Sequence, residues 1–327
     1  MTDVLLTTTV GSFGKPDYLT KARGQLARGK ISADDLKELE RKATREWIRI
    51  QEEIGLDILV DGEMYRGDMV AYFADLLEGY REGGLVRSYG NRYYHKPIIA
   101  GTISRPKPMT VAWFEYAQSL TDRPVKGMLT GPYTMLDWSF NEAYATRRDA
   151  ALALAEVIRQ EAEDLERAGA KYIQIDEPAI HARPEEIDIA IEAMGIVTRN
   201  LKAKTISHIC YGDFAAIYPQ VLALPVDQLD LAMANYEYRW LDLFDRDPFT
   251  KELAIGIVDV HKHELESVDE AAEGIRKGLR YVGAERLYPH PDCGLKTRTV
   301  DETIAKCRVV VEAAKKVRAE LGAKVLA

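Results

Sequence analysis

The chain has 327 residues, of which 46% are hydrophobic and 29% are charged, and its formal net charge at pH 7 is −8. That length exceeds an average domain but lies within the range of one (β/α)8 barrel with insertions, and the apolar content suffices for a large core. The acidic balance argues against a protein that binds nucleic acid through a basic surface. The three cysteines, an odd number in a large chain, favour a reducing compartment where thiols serve metal binding or catalysis.

The N-terminus and the hydropathy pattern indicate a cytoplasmic protein. The opening residues, Met1-Thr2-Asp3-Val4-Leu5-Leu6, lack a basic segment followed by a long apolar stretch, so no signal peptide is expected. No run of about 18 apolar residues occurs, so we expect no membrane span and no membrane partner.

Predicted strands and helices alternate along the chain. Eight short runs of apolar or β-branched residues predict strands at 4–10, 56–61, 125–130, 171–176, 205–210, 228–235, 253–260 and 285–290. The segments between them carry apolar residues at a spacing near 3.6, which is typical of helices. This alternation predicts an α/β fold, a single (β/α)8 barrel domain over residues 1–327.

Helix boundaries can be predicted for three of these segments. Ser32 is a good N-cap with Asp35 three residues later, so a helix should begin there. A second helix is expected at about 148–168 and a third, amphipathic one at about 301–321. Cys307 shares the apolar face of the last helix and is therefore predicted to lie in the core.

Two stretches exceed what a barrel needs. Residues 11–31 are predicted to form an N-terminal helical extension before the first long helix, and 86–108 is predicted to be a hairpin with a proline-rich exit. Insertions in the loops that follow barrel strands lie on the active-site face, so the second insertion is expected to cover the substrate.

Four residues could hold a metal ion. His208 and Cys210 are two apart on one predicted strand and therefore project to the same side, while Glu237 and Cys293 follow two other strands. An imidazole, two thiolates and a carboxylate complete a tetrahedral zinc shell, and strand ends lie at the catalytic rim of a barrel. The pattern alone leaves open the alternative that the cysteines are structural core residues.

Acidic residues also gather at predicted strand ends. The three groups are Asp61-Gly62-Glu63, Asp176-Glu177-Pro178 and Asp259-Val260-His261. Paired carboxylates at the mouth of a barrel can hold an ammonium group or perform acid–base chemistry. The alternative is helix capping, and Pro178 favours a helix start that one of the acids would cap.

Several smaller features complete the candidate site. His261 is a candidate general acid, whereas His95 and His263 are equally well explained as solvated loop residues. At the first strand, the segment Val10-Gly11-Ser12 offers backbone amides and a hydroxyl that can cradle a carboxylate. A simple turn explains the same residues.

Eight stretches follow one another along the chain: TTTVGSF (7–13), DGEMYRGDMVAYF (61–73), ISRPKPMTVAW (103–113), KGMLTGPYTMLDWSF (126–140), IQIDEPA (173–179), SHICYGDF (207–214), GIVDVH (256–261) and PDCGLKTR (291–298). Taken in this order, they resemble the C-terminal catalytic barrel of cobalamin-independent methionine synthase, in its short single-domain form. The resemblance covers nearly the whole chain.

The resemblance implies a zinc-dependent methyltransferase that makes methionine from homocysteine. By position, His208, Cys210, Glu237 and Cys293 would bind the zinc ion, and His261 would be the proton donor. Val10, Gly11 and Ser12 would meet the homocysteine carboxylate, and Glu63 and Asp176 its ammonium group. Zinc lowers the pKa of a bound thiol, which favours the nucleophilic thiolate.

The methyl donor is less well determined. Arg92, Tyr93 and Trp138 stand where the family contacts folate, but Ala182 replaces a glutamate that faces the pterin, and Lys262-His263-Glu264 replaces the usual Ser-Pro-Arg. A departing corrinoid cobalt needs no proton, so we expect methylcobalamin or a methylated corrinoid protein as donor. The alternative donor is 5-methyltetrahydrofolate with a polyglutamate tail.

Two other functions share the zinc site but leave other residues unexplained. The first is a zinc enzyme that alkylates another thiol, such as coenzyme M, but that substrate has no ammonium group for Glu63 and Asp176 to bind. A protein that keeps zinc only for structure would need neither acids beside the ion nor an open coordination position.

Overall fold

The computed structural model describes residues 4–87, 93–210 and 212–325. The strands are β1 (Glu78–Arg81), β2 (Leu85–Arg87), β3 (Tyr93–His95), β4 (Ile98–Ser104), β5 (Lys126–Thr130), β6 (Phe140–Asn141), β7 (Tyr172–Asp176), β8 (Lys204–Ile209), β9 (Gln228–Leu231), β10 (Glu252–Val258) and β11 (Leu287–Pro291). The helices are α1 (Asp17–Leu26), α2 (Ala33–Ile54), α3 (Ala71–Ala74), α4 (Val111–Gln118), α5 (Pro132–Asp137), α6 (Arg147–Arg167), α7 (Ile187–Thr198), α8 (Leu243–Arg246), α9 (Val268–Gly278) and α10 (Val300–Val325).

The chain divides into two compact units, each built from more than one stretch of sequence. The first unit contains the chain up to Tyr65, the stretch Tyr116–Lys126 and everything from Gln228 onward. The second unit contains Arg66–Glu115 and Gly127–Asp227. The prediction of a single domain therefore stays a prediction.

The first unit has three parallel strands in the order β9-β10-β11. Leu253 at the start of β10 is in register with Leu229 of β9 and with Leu287 of β11, and all three leucines are buried. Buried parallel strands carry apolar side chains on both faces because both faces are covered, which explains the continuous apolar runs of the sequence.

Two predicted strands of this unit do not form regular strands. Residues 4–10 and 56–61 make only scattered backbone hydrogen bonds, such as Thr8 N–H to the Pro289 carbonyl (3.2 Å) and Ile58 N–H to the Thr7 carbonyl (3.0 Å). The Asp57 carboxylate accepts the Thr7 N–H at 2.8 Å, in place of a ladder partner. The prolines of β11 have no N–H to donate, so a continuous ladder cannot form along them.

The predicted helices are confirmed with small shifts. Ser32 caps α2 through a reciprocal capping box with Asp35, and the helix ends at Gly55, which adopts the left-handed conformation at φ 96°. The second predicted helix is α6, capped by Thr146, and the third is α10, which is longer than predicted. Cys307 is fully buried in α10 and burial raises the pKa of its thiol to about 12, which confirms it as a core residue.

The second unit contains β7 and β8, which pair in parallel, and β5 except its first residue, Lys126. It also contains the insertion, where β2 pairs with β3 and β1 with β4, both antiparallel. The hairpin predicted for 86–108 is therefore confirmed, although the antiparallel segment begins earlier, at Glu78. The exit is fixed by Glu161 of α6, whose buried carboxylate accepts the N–H groups of Met109 and Thr110 and pairs with Arg105.

Among the described residues, no helix combines the length and the apolar character needed to cross a membrane.

Candidate active site

In the second unit, β8 brings the predicted histidine and cysteine ligands side by side. His208 is 2% exposed and Cys210 is 7% exposed, and a ring nitrogen of the histidine lies within 4.8 Å of the cysteine sulfur. After Cys210 the chain turns at Gly212, whose φ of 130° suits glycine. A Cβ at Gly212 would lie 1.7 Å from the ring of His181, so only glycine fits this turn.

The neighbouring strand β7 ends in the acidic pair of the second unit. Asp176 is buried and accepts a hydrogen bond from the Gln174 amide at 2.7 Å. The N–H of Glu177 donates to the His208 carbonyl at 3.0 Å. This backbone contact places Asp176, a predicted ligand of the substrate ammonium, at the strand end next to His208.

Glu177 has a structural role that explains why two acids are adjacent here. Its fully buried carboxylate accepts the N–H groups of Tyr133 and Thr134 and the hydroxyl of Thr134, at 2.7–3.0 Å. It thus caps α5, and Gly131 must lack a side chain because a Cβ would lie 2.2 Å from this carboxylate. Burial raises the pKa of Glu177 to about 7, although the three donors oppose the shift.

In the first unit, three predicted site segments meet. The Ser12 carbonyl accepts the Leu295 N–H at 2.6 Å, and a Cβ at Gly294 would lie 2.2 Å from the Ser12 hydroxyl. The next residue, Phe13, donates its N–H to the Gly62 carbonyl at 3.2 Å. The Val10-Gly11-Ser12 segment is therefore packed between the loop of Glu63 and the loop of Cys293.

Glu63 is held in an unusual backbone conformation. Its φ is 56°, in the left-handed region that non-glycine residues seldom adopt, and its N–H donates to the Asp61 carboxylate at 2.9 Å. Its carbonyl accepts a hydrogen bond from Lys15 at 2.9 Å. Backbone strain of this kind clusters at functional sites, and the Glu63 side chain is half-buried.

Glu237 lies in a loop after β9 and is exposed. Both Glu237 and Tyr238 have left-handed backbone angles, with φ 54° and 64°. The predicted strand 228–235 ends early, at Leu231, because the chain turns here. Glu237 is one of the residues that line a polar pocket of about 450 Å³, together with Arg239.

Cys293 is half-buried and follows β11 directly after Asp292, which is fully buried. Asp292 accepts the N–H groups of Met233 and Ala234 at 2.9 Å and of Asn235 at 2.6 Å. Burial raises its pKa to about 7, against the effect of these three donors. No feature of the sequence distinguished this aspartate except its place beside Cys293.

His261 lies in the exposed loop that follows β10, and Lys306 of α10 anchors that loop. The buried Lys306 ammonium donates to the Asp259 and Glu264 carbonyls at 2.9 Å. It also pairs with the Glu266 carboxylate at 3.1 Å, which in turn accepts the Asp259 N–H at 2.9 Å. Both ends of the loop are therefore fixed, and the residues from His261 to Leu265 are exposed.

The other two histidines that the sequence left open are surface residues. His263 pairs with Glu302 at 2.6 Å, and the hydrogen bond from His263 lowers the pKa of Glu302 to about 2. His95 is exposed in the hairpin, with its ring 3.1 Å from the Gly83 carbonyl. These contacts account for both residues without a catalytic role.

The predicted donor-binding residues are described only in part. Trp138 is half-buried directly after α5. Tyr93 begins β3, but its side chain lies outside the described residues, as does Arg92 altogether. Their contact with a donor stays a prediction.

Residues 5–316 match the sequence model of the family described as "Cobalamin-independent synthase, Catalytic domain". Methionine synthase from Sulfolobus acidocaldarius is 38% identical over 98% of this chain and 94% of its own length. The "5-methyltetrahydropteroyltriglutamate--homocysteine methyltransferase" of Streptomyces avermitilis is 44% identical over 97% of this chain. This chain spans only 43% of that longer relative.

Among solved structures, a B12-independent methionine synthase from Shewanella sp. W3-18-1 in complex with selenomethionine is similar over 98% of this chain and 99% of its own, with 27% identity and a TM-score of 0.86. A methyltransferase from Methanosarcina mazei, 15% identical over 97% of this chain and 95% of its own with a TM-score of 0.64, shares the fold. The protein is thus a (β/α)8-barrel enzyme, as predicted from the sequence. The chain belongs to the family of cobalamin-independent methionine synthases, to its catalytic domain.

This membership corrects one prediction. Methylcobalamin or a methylated corrinoid protein is the wrong donor, because the family is cobalamin-independent. The prediction gave too much weight to the missing carboxylate at Ala182. A ligand as large as a pterin with its tail is bound by many contacts, so the loss of one side chain does not exclude it.

The Lys306 anchor leads to a stability prediction. Lys306→Met should lower the free energy of unfolding by about 1–3 kcal/mol, because the Asp259 and Glu264 carbonyls lose their buried donor. Hydrogen exchange should also accelerate in residues 259–266. Lys316→Met is the matched control on the same helix, where the lysine pairs with Asp269 at the surface, and its effect should stay within about 0.5 kcal/mol. Equal effects in urea melts of the two variants would contradict the anchoring role.

Proposed function

We propose that this homocysteine methyltransferase uses a zinc ion to activate the homocysteine thiol and takes its methyl group from a 5-methyltetrahydropteroyl polyglutamate. The observation that carries the proposal is the buried pair of His208 and Cys210, whose ligand atoms lie within 4.8 Å of each other in a chain of this family. The donor is supported by the name of the Streptomyces relative, which includes a methylated pteroyltriglutamate.

The proposed metal ligands are His208, Cys210, Glu237 and Cys293. Their atoms fit zinc, which prefers thiolate and imidazole ligands and accepts a carboxylate as well. When bound, the ion would lower the pKa of the substrate thiol and so supply a thiolate at neutral pH. Two thiolates and one carboxylate would give the site a net charge of −1, which keeps the substrate sulfur electron-rich.

The substrate's amino-acid end would be held by two acids and one backbone segment. Asp176 is buried beside His208, and Glu63 is half-buried near Ser12, so their charges are poorly screened by solvent. The Val10-Gly11-Ser12 segment would bind the carboxylate through its amides and hydroxyl. These charged and polar contacts select an amino-acid thiol, which argues against coenzyme M.

His261 is the proposed proton donor for the leaving nitrogen of the folate. A protonated amine departs far more readily than an amide-like anion, so a folate donor needs an acid. The exposed tip of the anchored loop allows the histidine to exchange its proton with solvent between turnovers. Its N–H is fixed by the Asp259 carboxylate at 2.8 Å, which limits rotation of the backbone at this point.

The metal site is tested by the cysteines. Purified protein should carry about one zinc ion per chain, and Cys210→Ser or Cys293→Ser should lose most of it, because each removes one thiolate ligand. Cys307→Ser is the control: its thiol is buried in the core of α10, and its zinc content should match the wild type. Metal content is measured by elemental analysis after dialysis. Full zinc retention in both ligand variants would refute the proposed site.

The amine site is tested by charge removal at constant size. Asp176→Asn and Glu63→Gln should each weaken homocysteine binding about 10- to 150-fold, because a charge-assisted hydrogen bond contributes about 1.5–3 kcal/mol. Zinc content should not change. Isothermal titration with homocysteine and with 4-mercaptobutyrate, which has the same carbon chain without the amine, measures the effect. Unchanged homocysteine affinity in both variants would place the amine elsewhere.

The donor is tested through His261. Wild-type protein should form methionine from homocysteine with methylated pteroyltriglutamate and not with methylcobalamin. His261→Asn should lower that turnover about 10²- to 10⁴-fold, the usual contribution of general acid catalysis. His263→Asn is the matched control, since it changes the same residue type two positions away, at the surface. Turnover by His261→Asn at the wild-type rate would exclude this histidine as the acid.

A further inference from the structure

One fully buried carboxylate connects two loops of the first unit that the proposed function needs. Asp292 has no exposed surface, and its two oxygens accept three consecutive backbone N–H groups, from Met233 to Asn235. These amides follow β9 and begin the turn Ala234–Tyr236, so they have no ladder partner of their own. The side chain of Asp292 therefore acts as the cap of a turn that lies 57 or more residues earlier in the chain.

The backbone around Asp292 is arranged to admit this carboxylate. Its N–H donates to the Val258 carbonyl at 2.9 Å, where the register between β10 and β11 shifts. A Cβ at Gly256 would lie 2.0 Å from the Asp292 Oδ1 and 2.8 Å from its Cα. Gly256 is therefore required for the contact, which indicates a built arrangement and not a chance approach.

The residues on either side of this contact are two of the proposed zinc ligands. Cys293 follows Asp292 directly in the chain. Glu237 lies two residues beyond Asn235, directly after the turn Ala234–Tyr236. Glu237 and the next residue, Tyr238, both have positive φ angles. A carboxylate that fixes the start of this turn fixes the direction in which the chain presents Glu237, and it does so from the residue bonded to Cys293.

We infer that Asp292 is a positioning residue: it ties the start of the Glu237 loop to the turn of Cys293, the two segments that carry two of the four proposed zinc ligands. The inference rests on the proposed zinc site. Groups that orient metal ligands affect metal affinity about 10- to 100-fold without touching the ion. Asp292 would orient the ligands indirectly. It accepts hydrogen bonds from three backbone amides and not from a ligand side chain.

The test compares zinc affinity in three variants at two positions that pack against each other, Asp292 and Gly256. Asp292→Ala removes all three hydrogen bonds and should raise the zinc dissociation constant about 10- to 100-fold. Asp292→Asn keeps an acceptor for Met233 and Ala234 but turns an N–H toward Asn235, so its effect should be smaller. Gly256→Ala leaves the aspartate in place but displaces its carboxylate, and it should resemble Asp292→Ala. Affinity is measured by competition with a chromophoric chelator.

The control separates positioning from general loss of stability. Glu161→Gln alters another fully buried carboxylate that accepts backbone N–H groups, in the second unit and far along the sequence from any proposed ligand. It should lower the melting temperature comparably and leave zinc affinity unchanged. The absorption spectrum of the cobalt(II)-substituted protein gives a second measurement, because the band pattern should change in the Asp292 variants and not in Glu161→Gln.

The outcomes distinguish this inference from the proposed function. If wild-type protein binds no stoichiometric zinc, the proposed metal site itself fails. If the wild type binds zinc and all Asp292 and Gly256 variants bind it with wild-type affinity and an unchanged cobalt spectrum, the zinc site stands and the positioning role is overturned. Weaker zinc binding graded from Asn to Ala, with Glu161→Gln unaffected, supports the inference.

Discussion

Buried carboxylates that accept backbone N–H groups fix the loops of this protein. Two of them follow directly after a strand and accept several N–H groups each: Glu177 after β7 in the second unit and Asp292 after β11 in the first. A carboxylate without solvent is costly unless it is fully hydrogen-bonded, and the amides that leave a strand or begin a helix need acceptors. The buried carboxylate and the amides satisfy each other, so removing either one leaves the other without a hydrogen-bond partner.

These carboxylates stand next in sequence to residues proposed to do the chemistry. Glu177 follows Asp176, and Asp292 precedes Cys293. Because neighbouring side chains on an extended segment point to opposite sides, one residue can face the substrate while the next is anchored in the protein. A residue proposed to react is thus followed or preceded by one that anchors the backbone. Metal sites show the same division, because residues around the ligands orient them.

Much of the architecture was predictable because its signals are local. A capping residue, an apolar period and a terminal glycine lie within one helix, and α2 follows from Ser32, Asp35 and Gly55 almost residue by residue. The strand predictions that failed did so because residues far along the sequence contact these segments. The strand expected at 228–235 stops at Leu231 because Asp292 captures the following amides, and 4–10 is not a regular strand because Asp57 and the prolines of β11 interrupt its ladder.

The same distinction applies to the site. The pair His208 and Cys210 could be predicted, since residues two apart on a strand share a side. Lys306 was missed, although a lysine spaced three and four from Thr303 and Val310 on the buried face of a helix is a signal of a charged group with a specific partner. The donor was misjudged because an absent side chain at Ala182 is weak information when binding is spread over many contacts.

Glu177 also makes the stability of the folded protein depend on pH. Its pKa is about 7 in the folded protein against an ordinary value of 4.5, because burial favours the neutral acid. The folded chain therefore holds this proton more tightly than the unfolded chain does. The resulting gain in stability is complete below pH 4.5 and declines as the pH rises through 7, so the second unit takes up a proton when it folds in that interval.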